Sequence, residues 1–220
     1  PKGTQRKLGA FIDAASARPS FPLEIEGVGD GDVALDGEGY EIRAFRTDHD
    51  TRSVGYALIE DDRKGRFDRE RAEELGVPVG PKFQRLHAGE AVELDDGTIV
   101  EPEEVVGPTR PGRTVVYTGD TRPADRTVEA ARGADLLIHD GTFASDNETR
   151  AGRTAHSTAK QAAEIANEAG ANRLALVHIS SRYAADVSPI AAEATRTFSG
   201  ERAFVPEDGD TLEIPYPGAD

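Results

Sequence analysis

Four short apolar runs each end in a small polar cluster that carries an imidazole or a carboxylate. Ile42-Arg43-Ala44-Phe45 leads to Asp48-His49-Asp50, and Thr114-Val115-Val116-Tyr117 leads to Gly119-Asp120-Thr121. Leu136-Leu137-Ile138 leads to His139-Asp140-Gly141, and Leu174-Ala175-Leu176-Val177 leads to His178-Ile179-Ser180. Ligands and metals collect beyond the carboxyl ends of strands in α/β folds. Four such ends bearing His and Asp therefore predict the rim of a metal site, with oxygen and nitrogen donors only, because the chain has no Cys. Asp120 is the sharpest candidate. Gly119 allows a tight turn after the strand, Thr121 can orient the carboxylate, and a carboxylate can bridge two metal ions about 3.5–4 Å apart, which suits in-line displacement at phosphorus. Each residue also has a plainer reading. Asp120 can be a turn residue ahead of a helix at Pro123, and His49 can be a turn histidine between two aspartates. His178 has the stronger claim, since an apolar strand runs directly into it. His87 is expected to be solvent-exposed.

The elements that must position these groups read as follows. Apolar spacing predicts a helix over residues 9–17. Loose alternation broken by Gly-Asp pairs predicts strands over 23–28 and 33–46, and 54–59 is a further strand. Residues 60–108 are polar and charged and read as an excursion from the domain. Within them lie a short helix over 67–75, a rigid Val77-Pro78-Val79-Gly80-Pro81 turn and a hairpin over 91–100 centred on Asp95-Asp96-Gly97. From residue 114 the order is strand, helix (124–131), strand (135–138), a helix opened by Ser157 or Thr158 and stopped at Gly170, then strand (174–177). That order is the signature of a sheet covered by helices, an α/β fold.

Composition sets the outer bounds. At 220 residues and 37% hydrophobic content the chain can bury one sizeable core or two small ones. No apolar run is long enough to span a membrane. The chain lacks Met even at position 1 and is read as an interior fragment of a longer protein. The net charge of −15, with bases that are mostly Arg, is expected of a halophilic source. At molar salt the Debye length is about 3 Å and self-repulsion is screened. The net charge therefore does not exclude a nucleic-acid substrate, and local basic groups must decide.

Several ordered motifs resemble one family. Tyr117-Thr118-Gly119-Asp120-Thr121-Arg122 resembles the fourth motif of the metallo-β-lactamase superfamily. His178-Ile179-Ser180-Ser181-Arg182-Tyr183 resembles its closing His motif in the form used by the ribonuclease Z family of tRNA 3′-processing endonucleases. His139-Asp140-Gly141-Thr142-Phe143 is similar to that family's His-Glu-Ala-Thr-Phe loop, and Thr154-Ala155-His156-Ser157-Thr158 to its His-Ser-Thr motif. Gly76-Val77-Pro78-Val79-Gly80-Pro81 is similar to the Gly-Pro segment of its tRNA-gripping arm, and residues 1–12 resemble a helix that follows the family's first half.

The resemblance implies an αββα metallo-β-lactamase sandwich, partial over 1–59 and 109–220, with 60–108 as an inserted flexible tRNA-binding arm. It implies two zinc ions, with His49 a ligand of one, Asp120 bridging both and His178 a ligand of the other. It places His156 at the scissile phosphate as proton donor or charge stabiliser, with His139 and Asp140 behind the ligands. Arg63, Lys64, Arg66, Lys82, Arg85 and Arg182 become candidate phosphate contacts, which position a substrate without reading its sequence. Precursor tRNA, a homodimer and a cytoplasmic location without membrane attachment follow from the same resemblance. Two departures stand out. Asp140-Gly141 replaces the family's usual Glu-Ala. The His-x-His-x-Asp-His motif that supplies further ligands and the general base is absent, is expected upstream of Pro1, and leaves the fragment alone expected to be inactive. Two other classes stay open: a superfamily phosphodiesterase acting on small esters, and a non-catalytic α/β binding protein whose histidines are structural.

Overall fold

The computed structural model describes residues 1–15 and 20–218. In chain order the elements are α1 (Gln5–Ala14), β1 (Val33–Gly37), β2 (Tyr40–Arg46), β3 (Val54–Glu60), α2 (Arg69–Glu74), α3 (Pro81–Ala88), β4 (Val92–Glu93), β5 (Ile99–Val100), β6 (Thr114–Tyr117), α4 (Asp125–Ala130), β7 (Leu136–Asp140), α5 (Glu148–Arg153), α6 (Ala159–Ala169), β8 (Arg173–Val177), α7 (Ser188–Thr197) and β9 (Arg202–Phe204). Two compact units result, one from residues 1–60 and 113–215, the other from 61–112 with the chain after 215.

The first unit is built on one seven-stranded sheet in the order β1-β2-β3-β6-β7-β8-β9. β3 pairs antiparallel with both β2 and β6, while β6 to β9 pair in parallel. Two antiparallel steps restore direction, so β2 points the same way as β6, β7 and β8. This is why the segments after these four strands emerge at one edge of the sheet. α4, α6 and α7 form a layer on one face, packed on each other and on the strands. Phe45, Ala57, Val116, Leu137, Leu174 and Leu176 face Val128, Ala162, Ala166, Ile190 and Ala194 in a single core. α6 starts as its sequence indicates: the Thr158 hydroxyl accepts from Gln161 N–H, the Gln161 side chain accepts from Thr158 N–H, and Gly170 ends the helix in the left-handed conformation. On the opposite face Tyr56 and Tyr117 stand in register and are exposed.

The second unit has a small core of its own. Ala72, Val77, Leu86, Val92, Val100 and Val105 are buried, with Phe67 and Phe83 packed against them at 4.9 Å between ring centres. Its two limbs cross as a ladder, Arg63 opposite Arg110 and Phe67 opposite Val106. At the crossing a Cβ on Gly65 would lie 1.8 Å from the Gly107 carbonyl oxygen, so only glycine admits that approach.

Several expectations are corrected. No strand forms over 23–28, which is irregular. α1 begins earlier than expected, at Gln5, and none of its residues is buried: Phe11 is 70% exposed. The expected end of that helix at residue 17 lies outside the described residues. The rigid turn over 77–81 leads into α3, because Pro81 takes the first helical position, where its missing N–H costs nothing. α5, α7 and β9 complete the sheet and its helical layer beyond the elements anticipated. His87 is exposed, and its ring Nε2 lies 3.2 Å from the Gly65 carbonyl.

Candidate metal centre

The segments following β2, β6, β7 and β8 deliver the site. Asp120, Asp140, His156 and His178 each place a possible ligand atom within 4.8 Å of the others. The His178 Nε2 atom is 3.6 Å from Asp120 Oδ2, and the His156 and His178 rings stack with centres 4.8 Å apart. His49 stands one layer out, with its ring centre 5.3 Å from that of His156. Two non-glycine residues here have left-handed backbone, Ala155 (φ 63°) and His178 (φ 60°). Such a conformation costs on the order of 1–3 kcal/mol and persists where the surroundings over-determine it.

Asp140 is the hub. It is fully buried. Its Oδ1 accepts from Thr142 N–H at 2.9 Å and from the Thr142 hydroxyl at 2.6 Å. Its Oδ2 accepts from Thr121 N–H at 3.0 Å and from His156 Nδ1 at 2.7 Å. A carboxylate has about four acceptor positions, and all four are used. Asp140 therefore lies close enough to coordinate a metal but has no lone pair left for one. Its part is to hold the groups that face the centre.

These bonds settle which imidazole nitrogen is free. Carbonyl and carboxylate oxygens only accept, so a ring nitrogen bonded to one carries the proton. His156 Nδ1 faces Asp140 Oδ2, and His49 Nδ1 faces the Ala155 carbonyl at 2.9 Å. In the neutral form of each ring the lone pair is then on Nε2, the nitrogen available to a metal or to a transferred proton. The donor set left over — Asp120, His49, His178 and the outward nitrogen of His156 — is nitrogen and oxygen, which fits zinc or a similar divalent cation.

His139 does not join this group. It is wholly buried in β7, its Nδ1 bonded to the Asp140 carbonyl at 2.8 Å and its Nε2 without a partner among the described residues. Burial holds its pKa below the ordinary 6.5, opposed by the Asp140 carbonyl. Burial favours the neutral ring, so the folded chain takes up this proton at lower pH than the unfolded chain, which binds it below about pH 6.5. Stability from this group is complete above that pH and falls as the pH drops, by up to about 1.4 kcal/mol per pH unit. Thermal unfolding from pH 8 to 5 in molar salt should show a shallower acid-side decline for His139→Gln than for wild type. Parallel curves would exclude His139 as a source of the slope.

Arg122 straps the His49 loop in place. Its guanidinium bonds Asp50 at 2.8 Å, Asp48 at 3.4 Å and the Gly152 carbonyl at 3.1 Å, and its backbone N–H bonds the Asp48 carbonyl. Asp50 first, then Asp48, hold its pKa above the usual arginine value. A cleft of about 910 Å³ opens beside His49, with Arg46, Arg52 and Arg126 among its walls. Thr121, expected to orient Asp120, instead donates its N–H to Asp140 and its hydroxyl to the Arg122 carbonyl, while Arg122 and Thr142 enter the sequence reading only as members of the motifs around Asp120 and Asp140. The candidate phosphate contacts are scattered by comparison. Arg63 lies over the Tyr216 ring at 3.7 Å, and Arg66 bonds the Gly218 carbonyl. Lys82 bonds the Glu93 carbonyl, and Arg85 pairs with Glu90. Lys64 and Arg182 are exposed.

Residues 104–179, which carry Asp120, Asp140 and His156 and reach His178, match the β-lactamase superfamily domain. Among solved structures, the metallo-β-lactamase fold protein YhfI from Bacillus subtilis aligns with TM-score 0.51 at 21% identity, covering 80% of this chain and 50% of that one. A diphosphatase of the PhnP family aligns with TM-score 0.52 at 17% identity, covering 98% and 57%. Both are likenesses of fold. The curated relatives are much closer. Ribonuclease Z of Natronomonas pharaonis is 71% identical over 217 residues, which is 99% of this chain and 70% of that protein. Ribonuclease Z of Haloferax volcanii is 58% identical, covering 100% and 69%, and that of Myxococcus xanthus is 47% identical, covering 98% and 69%. The first two come from halophilic archaea, in keeping with the acidic surface. With identity of this order along nearly its whole length, and with the strand ends arranged as described, the chain belongs to the ribonuclease Z family of the metallo-β-lactamase superfamily.

Proposed function

We propose that the full-length protein is a zinc-dependent endoribonuclease that removes the 3′ trailer from precursor tRNA, leaving a 3′-hydroxyl on the tRNA and a 5′-phosphate on the trailer. The observation that carries this reading is the convergence of Asp120, His156 and His178 around the saturated carboxylate of Asp140, in a chain of this family. Asp120, His178 and His49 would together hold the two zinc ions. Bound zinc supplies a Lewis acid for the phosphoryl oxygens and lowers the pKa of water to within reach of neutral pH.

The chain's own side chains do the rest. Asp140 keeps the proton of His156 on Nδ1 and leaves Nε2 directed outward. Protonated there, Nε2 donates to the departing 3′-oxygen, or stays as an imidazolium that stabilises its charge. Arg122 fixes the loop that carries His49. The unit from 61–112 is the tRNA arm, with Arg63, Lys64, Arg66, Lys82 and Arg85 against phosphates and Arg182 as a further contact. Family membership supports a homodimer, in which the arm of one copy presents tRNA to the site of the other.

The test uses the full-length protein in molar salt with a precursor tRNA. Cleavage at the trailer junction with the stated ends is expected, lost on chelation and restored by zinc, with about two zinc ions per chain. Trailer cleavage that is indifferent to chelators, or intact precursor with zinc bound, rules the proposal out.

A further inference from the structure

His178 is the one histidine of the centre whose Nδ1 neighbour does not by itself dictate where the proton sits. That neighbour is the hydroxyl of Thr142, at 2.9 Å, and a hydroxyl both donates and accepts. The ambiguity is removed one bond further back. The same Thr142 oxygen lies 2.6 Å from Asp140 Oδ1, which accepts only. A hydroxyl has one hydrogen, and it is committed to the carboxylate. Its lone pair must then receive the proton of His178 Nδ1. The left-handed backbone at His178 turns the ring toward Thr142 immediately after β8. Thr142 is itself held by its N–H on Asp140 Oδ1 and is buried, so its hydroxyl is kept from bulk water although the far side of the His178 ring is exposed.

We propose that Thr142 is a positioning residue that relays the carboxylate of Asp140 to His178 and fixes Nε2 as the nitrogen that faces Asp120 and the metal centre. One buried carboxylate thereby sets two histidines at once, His156 directly through Oδ2 and His178 through a hydroxyl on Oδ1. The relay explains why a threonine is needed: valine has the same shape but cannot pass the hydrogen bond on, and serine can. The metal-facing part of this inference rests on the proposed zinc site, whereas the proton position does not.

The experiment is imidazole ¹⁵N–¹H NMR of the metal-free full-length protein in molar salt, paired with zinc titration against a competing chelator. In wild type and Thr142→Ser, His178 should carry its proton on Nδ1. In Thr142→Val the ring should populate the Nε2–H form, and zinc affinity should fall about 10–100-fold, the usual scale for losing an outer partner of a liganding histidine. The serine variant should bind zinc as wild type does. A wild-type His178 with its proton on Nε2 overturns the relay without need of any variant, as does an unchanged Nδ1–H form in Thr142→Val. A wild type that shows the Nδ1–H form and takes up no zinc supports the relay and removes the metal assignment instead.

Discussion

Asp140→Asn in the full-length protein should lower kcat/KM toward precursor tRNA by about 10³-fold or more. The carboxylate accepts from four donors, Thr121 N–H, Thr142 N–H, the Thr142 hydroxyl and His156 Nδ1. An asparagine offers one carbonyl oxygen and one NH₂ group. If NH₂ takes the Oδ2 position, it confronts Thr121 N–H and forces His156 to accept at Nδ1, which moves the ring proton to Nε2. If it takes the Oδ1 position, it confronts both donors of Thr142 and breaks the path to His178. Each buried donor left unmatched costs about 1–3 kcal/mol. In the serine protease triad, the equivalent exchange of a buried Asp holding a catalytic His costs on the order of 10⁴ in kcat. The loss should fall on kcat if the proposed arm, rather than this carboxylate, holds the tRNA. Single-turnover rates at saturating tRNA, together with thermal unfolding, decide the matter. A variant within tenfold of wild type would show that Asp140 does not govern the histidines.

Replacing residues 62–106 by a short Gly-Ser link should separate binding from chemistry. The excised residues belong to a unit with its own core, which the Gly65–Gly107 crossing closes at its base. The sheet unit keeps Glu60 and Arg113, which hydrogen-bond each other where the excursion leaves and re-enters. At the lowest salt at which the protein stays folded, affinity for precursor tRNA should drop by about 10²-fold or more, because charge contacts to phosphates supply a sequence-independent binding of about 10⁻⁴–10⁻⁶ M at physiological salt in proteins that use them. Hydrolysis of a small phosphodiester such as bis(p-nitrophenyl) phosphate should stay within a few-fold. Parallel losses on both substrates would show that the unit supports the fold of the site rather than the grip on RNA.

The strand ends were legible because an apolar run that stops at Gly-Asp or His is a local pattern, and a βα alternation brings such ends together. Asp120 and His178 needed nothing more. His49 was harder, since β2 borders an antiparallel strand, and only the double reversal through β3 carries its end to the same edge. The links that fix proton positions were hidden for a different reason. Thr142 to His178 spans 36 residues and His49 to the Ala155 carbonyl spans 106, and no periodicity reports a contact of that range. α3 went unseen because its brackets are turn-formers. Gly80 and Pro81 open it and Gly89 closes it in the left-handed conformation, which is also how a helix of eight residues is delimited. The polar excursion looked coreless because its apolar residues are spread over some forty positions, and six of them become a core only when two helices and a hairpin fold on each other.

The pair Asp140-Gly141 stands where the family resemblance leads one to expect Glu-Ala, and the packing against β8 accounts for the glycine. A Cβ on residue 141 would meet the Leu176 side chain at 2.9, 3.0 and 3.2 Å. The loop therefore runs against β8 more closely than an alanine permits. Asp140, the residue before Gly141, accepts from Thr121, Thr142 and His156 in that same turn. An alanine at 141 would press the loop off β8 and disturb the bonds of the adjacent aspartate. A side chain at 141 is thus felt, through packing alone, at the carboxylate beside it.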